Sequence, residues 1–248
     1  MLGHRKNIYS QNGEDGVIEH LFEKIGVPDG GTCCEFGSWD GKHLSNTFRL
    51  VKERGFKALY IEGDAEKYKQ LLKTCEEHPS ITPVCEYVKI LDDIFERTEF
   101  PLDIDLLSID IDSTDYEVWK AVQKVNPKVV IIEPDNSIPE WVDTPMYPTG
   151  PNGGANTAIL KALGREKGYT FVCNTGNLFF VRNDLAHLVE PDERAFPWWL
   201  DGKFKSLIIQ AKADESQFLP IVEPQYHDNL KKAIENYAGG VRLGYMSV

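Results

Sequence analysis

Two segments of the chain carry an apolar run into a carboxylate and turn at once on glycine. The first is Glu35-Phe36-Gly37-Ser38-Trp39-Asp40-Gly41, where two glycines let the backbone approach a ligand closely. Its spacing is GxxxG rather than GxGxxG, which speaks against a pyrophosphate cofactor; an acid two residues before the first glycine suits a ligand presenting an amino group and a sulfonium. The second is Leu59-Tyr60-Ile61-Glu62-Gly63-Asp64, whose Glu62 can accept from both hydroxyls of a ribose if the first loop holds the rest of the ligand. Asp64 falls where a helix N-cap belongs. Taken singly, each segment also reads as an ordinary tight turn.

Two further acidic groups follow. In Ser108-Ile109-Asp110-Ile111-Asp112-Ser113-Thr114-Asp115, alternation along a strand puts Asp110 and Asp112 on one side, where like charges call for a cation, several donors or a raised pKa. A ligand ammonium, a divalent metal or a substrate proton would each meet that need. Asp112 and Asp115 also read as solvent-facing groups that favour a helix N-terminus. Glu133-Pro134-Asp135-Asn136 adds two carboxylates and an amide after another apolar run. The single histidines His20 and His43 read as surface or core groups rather than general bases.

These residues need a scaffold that brings strand ends together. Short apolar runs at 32–36, 57–62, 82–88, 105–111 and 129–133 alternate with helical patterns at about 13–25, 42–54, 65–77 and 114–125, the rhythm of a parallel sheet covered by helices. Thr114-x-x-Glu117 reads as a capping box and Asn156 as the N-cap of a helix at about 156–167. The runs 169–174 and 178–181, separated only by Thr175-Gly176-Asn177, can form only a hairpin, so one edge strand is antiparallel. Five parallel strands, a helix and a terminal hairpin make an α/β fold: the Rossmann-like class I methyltransferase sheet, which favours S-adenosylmethionine over a dinucleotide. The chain is expected to form a single domain over 1–248, with the Pro- and Gly-rich stretch 134–155 as an active-site lid and a C-terminal extension from about 183.

Composition narrows the setting. With 39 acidic against 27 basic residues the formal charge is −12, which disfavours nucleic acid as a partner. No apolar stretch approaches the ~20 residues of a bilayer span, so no membrane insertion is expected. The N-terminus has no apolar segment or cleavage site of a secretory signal, and five cysteines without CxxC spacing read as reduced thiols, so the expected location is cytoplasmic. Trp198-Trp199 offers rings that can stack on a sugar face, but the pair fits core packing or a dimer contact better, which admits a homodimer.

Several motifs in this order resemble the FkbM-type methyltransferases: Tyr9-Ser10-Gln11-Asn12-Gly13-Glu14-Asp15-Gly16, the Glu35 to Gly41 loop with Leu44-Ser45-Asn46-Thr47, the segment ending at Asp64, the one around Asp110, and Gly153-Gly154-Ala155 with Asn174-Thr175-Gly176-Asn177. The resemblance spans most of residues 9–182. It implies S-adenosylmethionine binding by Gln11, Glu35, Gly37, Gly41, Glu62 and Asp110, with Ser38, Asn46 and Gly63 from the same segments and Glu86 near the adenine. It also implies methyl transfer to a hydroxyl of a small-molecule or saccharide acceptor, such as a capsule or surface-polysaccharide precursor. Asp110, Asp135 and Asn136 further resemble the metal set of catechol-type O-methyltransferases, which would take Mg²⁺. Asp110 or Asp112, directly or through that metal, would take the proton, and Asp135 would border the acceptor. Transfer to a nitrogen or a phosphoryl-type oxygen, and a module that binds cofactor or nucleotide sugar without turnover, stay open.

Overall fold

The structure is a computed structural model and describes residues 1–111, 114–135, 145 and 154–192. Among the described residues seven strands form one sheet: β1 (Thr32–Phe36), β2 (Lys57–Glu62), β3 (Ile81–Cys85), β4 (Asp103–Ile109), β5 (Asn126–Ile132), β6 (Tyr169–Asn174) and β7 (Leu178–Arg182). Their spatial order is β3-β2-β1-β4-β5-β7-β6. The first five run parallel, and β7 pairs antiparallel with both β5 and β6, joined to β6 through the expected turn at 175–177. The sheet is therefore Rossmann-like, in the strand programme of the class I methyltransferases. The reversed strand is β7, one in from the edge, while β6 closes the sheet in the direction of the parallel set.

Side chains alternate along each strand, so neighbouring residues feed two separate cores. Cys33, Ala58, Tyr60, Leu106 and Val129 join α1 (Glu14–Ile25), α2 (Phe48–Arg54) and α3 (Ala65–Glu77) on one face. Cys34, Leu59, Ile61, Leu107 and Val130 meet α4 (Leu91–Thr98), α5 (Asp115–Ala121) and α6 (Thr157–Glu166) on the other. Strands buried on both faces read as continuous apolar runs, which is why they stand out in the sequence.

Departures from expectation have local causes. Residues 42–47 form no helix because Ser45, Asn46 and Thr47 wrap around Glu35, so α2 starts at Phe48. α5 stops at Ala121 because Asp92 draws in the N–H groups of Gln123, Lys124 and Val125. α4 was not expected: it is eight residues long and its N-cap, Ile90, offers no side-chain acceptor. Thr114 stands at the N-cap of α5 without a capping hydrogen bond from its side chain. Asp115, also read as solvent-facing, is buried and accepts the Ile111 N–H at 2.9 Å. Asp64 and Asn156 cap α3 and α6 as read. The proposed lid falls largely, and Trp198-Trp199 entirely, outside the described residues.

Candidate functional site

Chain order reverses between β1 and β4, the crevice where open α/β sheets take their ligands at the carboxyl ends of the strands. Gly37 makes the turn there with φ +75°. A Cβ on it would lie 1.7 Å from the carbonyl oxygen of Asp110, so glycine alone lets the ends of β1 and β4 touch. Ser38 ties the same loop to β2, donating from its N–H and its Oγ to the Ile61 carbonyl at 3.3 and 3.2 Å. Gly41 closes it, its N–H donating to the Ser38 carbonyl at 2.7 Å.

Glu62 ends β2 and is only 6% exposed. Its Oε2 accepts the Trp39 N–H and its Oε1 the Asp64 N–H, each at 2.8 Å. Two backbone donors thus fix the carboxylate plane, and each oxygen keeps lone-pair capacity for a further donor. The ring of Tyr87 lies against Gly63, where a Cβ would come within 2.3 Å of it, yet the side chain is 73% exposed. Trp39 and Tyr87 therefore flank the Glu62-Gly63 corner from the ends of β1 and β3. Glu86 donates its N–H to the Glu62 carbonyl at 3.1 Å, while its carboxylate is paired with Arg97 of α4.

Glu35 is buried, and the chain itself supplies its donors: the Ser45 hydroxyl at 2.6 Å, the Asn46 N–H at 3.0 Å and the Thr47 hydroxyl. Burial pushes its pKa above the ordinary carboxylate value, and the hydrogen bonds from Ser45 and Thr47 pull the other way. Its visible effect is to shape the 45–47 turn so that Asn46 Nδ2 donates to Ser108 Oγ on β4 at 3.1 Å.

At the ends of β4 and β5 the strands stop at Ile109 and Ile132. Asp110 follows β4 rather than lying in it, and Asp112, read as its neighbour on one face, lies outside the described residues. Asp135 is half-buried and its N–H donates to the Ala155 carbonyl at 2.9 Å, which ties together the two ends of the 134–155 stretch at the tip of β5. Asn136 also lies outside the described residues, and among those described no group of three or more His, Cys, Asp or Glu gathers as a metal site. Gln11 is exposed on a loop before α1.

The structure thus brings Gly37, Ser38, Glu62, Gly63 and Asp110 to one crevice and sets Asp135 beside it. Sequence reasoning missed Tyr87, and it placed Glu14 and Asp15 only within the Tyr9 to Gly16 motif, without a role; they are the buried first residues of α1. Acids in a first helical turn ordinarily face solvent, so type and position alone gave no sign of their burial.

No family model matches the chain, and no curated protein matches it. Among solved structures it is similar to M. capricolum TrmK in complex with S-adenosyl-homocysteine, at 12% identity and a TM-score of 0.45 over 87% of this chain and 93% of that one. It is similar also to a SAM-dependent methyltransferase from Aquifex aeolicus, at 13% and 0.40 over 68% and 89%. A third is the CurJ carbon methyltransferase, at 13% and 0.49 over 69% and 53%. Likeness at this level concerns the general course of the chain and says nothing of the reaction.

Proposed function

We propose that the protein is an S-adenosylmethionine-dependent methyltransferase that methylates a hydroxyl of a sugar or surface-polysaccharide precursor. The observation that carries this reading is Glu62: a buried carboxylate at the end of β2, its plane set by two backbone N–H groups, one strand from the reversal at Gly37. That donor-seeking pair of oxygens fits the two hydroxyls of a ribose. The exposed rings of Trp39 and Tyr87 offer apolar faces to a base beside it. The GxxxG turn admits the rest of the cofactor without a phosphate-binding loop.

When bound, the cofactor supplies an electrophilic methyl group on its sulfonium. The chain's own residues do the remainder. Glu62 holds the ribose; the turn at Gly37 and the neighbouring Asp110 border the amino-acid end; Asp110 takes the hydroxyl proton as the new bond forms, and Asp135, one strand further on, borders the acceptor. Their main contribution is orientation, since a methyl transfer needs collinear approach and a base only late.

Calorimetric titration with S-adenosylhomocysteine tests the reading. The protein should bind it, and Glu62→Ala should lose about 1.5–3 kcal/mol, the worth of a hydrogen bond to a charged group. Absence of binding by the unaltered protein would overturn the cofactor assignment, and unchanged affinity in the variant would overturn the ribose contact.

A further inference from the structure

The loop before α1 is tied down by two consecutive buried carboxylates. Asp15 Oδ2 accepts the N–H groups of Ile8, Tyr9 and Ser10 and the Ser10 hydroxyl, all at 2.8 Å. Glu14, with no exposed surface, accepts the Asn12 N–H at 2.8 Å through Oε2. Its Oε1 accepts the Thr175 hydroxyl at 2.8 Å and faces Asn177 Nδ2 at 3.5 Å, in the turn between β6 and β7. The contact is close: a Cβ on Gly176 would lie 2.6 Å from Asn12 Nδ2. At the other end of the loop the Tyr9 ring packs edge-on against Phe48, just past the turn that Glu35 organises, with centroids 4.8 Å apart.

Residues 8–12 therefore run along the carboxyl edge of the sheet from behind the β1 turn to the hairpin turn. This is the same edge that carries Glu62 and Asp110. Within the hairpin cluster Asn177 Oδ1 is buried without a hydrogen-bond partner. A buried carboxylate costs desolvation free energy, and here it is partly offset by donors drawn from two segments far apart in sequence. A purely apolar contact could hold two segments together; a shared acceptor fixes their relative position as well.

We infer that Glu14 is a positioning residue: by holding the 8–12 loop against the 175–177 turn it forms the wall against which the amino-acid end of the cofactor lies. The inference rests on the reading of the crevice as an S-adenosylmethionine site. Glutamine can replace Glu14 in this network, its carbonyl taking the Asn12 N–H and its amide donating to Thr175 Oγ and to Asn177 Oδ1 after an amide flip. Alanine cannot.

The test is calorimetry with S-adenosylhomocysteine on Glu14→Ala, Glu14→Gln and Thr175→Val, alongside urea unfolding of each. Glu14→Ala should weaken binding at least about tenfold, Glu14→Gln should restore it to within about threefold, and Thr175→Val, which removes one donor to Glu14 while leaving the 8–12 loop intact, should weaken it several-fold. A role confined to stability would move the urea midpoint and leave the affinity of the folded protein alone. Folded Glu14→Ala binding as tightly as the unaltered protein would overturn the inference; if that variant does not fold, unchanged affinity in Thr175→Val would do so. Loss of binding by the unaltered protein would strike the cofactor reading instead.

Discussion

Two glycines at the crevice look alike in the sequence and are predicted to behave differently. Gly37 has a left-handed φ and faces a backbone oxygen at 1.7 Å from an added Cβ, and neither the strain nor the collision can be relieved without moving β1 or β4. Gly37→Ala should therefore cost at least about 2 kcal/mol of stability in urea unfolding. The collision at Gly63 is with the ring of Tyr87, which is largely exposed and free to swing aside. Gly63→Ala should change stability by no more than about 0.5 kcal/mol, while displacing the ring and weakening S-adenosylhomocysteine binding in calorimetry. Equal destabilisation by the two would show that the Tyr87 ring is fixed. Glu62 was legible because a carboxylate between a strand and a glycine has few structures open to it. The environment of Glu35 was not, because its donors lie in a stretch, 42–47, that patterns as helix and becomes a turn only by folding around the carboxylate. The alternation read for Asp110 and Asp112 needs a strand that continues past Ile109; β4 ends there, and Asp112 lies outside the described residues.

Among the elements, those with both a period and a start signal were readable. α3 and α6 each begin at a residue whose side chain accepts helix N–H groups, Asp64 from Glu66 and Lys67 and Asn156 from Ile159. α4 has the apolar spacing of Leu91, Ile94 and Phe95 but is short and uncapped, and it is held chiefly by burial of those three residues, which local sequence does not reveal. The hairpin was readable because three residues leave no room for a crossover. Which of its strands would insert beside β5 was not, since that is settled by burial of Phe179 and Phe180 on opposite faces. Asn156 has a consequence of its own, because it follows Ala155, the residue that accepts from Asp135 and anchors the end of β5. Asn156→Ala should lower stability by about 1–2 kcal/mol, read as a fall in Tm of a few degrees, and Asn156→Asp should retain most of it. A silent Asn156→Ala would mean that packing of Ile159, Leu160 and Leu163 alone sets the start of α6.

For the molecule as a whole, the buried carboxylates tie stability to pH. Burial raises the pKa of Glu14 and of Glu35 above their ordinary values, so the folded chain binds protons that the unfolded chain has already released. Their contribution is full below the ordinary carboxylate range and is lost as pH rises through the folded values, giving stability a negative slope there. Glu19, Asp64, Glu77 and Asp184 are shifted down, and would add stability above the same range, but they lie at the surface, where solvent screens them. A formal charge of −12 acts in the same direction as the buried pair, since repulsion within the compact state grows as the last carboxylates ionise. Glu14→Gln separates the local effect from the global one: it keeps an acceptor for Asn12 and a group that meets Thr175, but releases no proton. Measured by urea unfolding from about pH 5 to about pH 8, its stability relative to the unaltered protein should rise with pH. A difference that stays constant across this range would show that Glu14 titrates as it does in the unfolded chain and that its burial is fully offset by the donors of Asn12, Thr175 and Asn177.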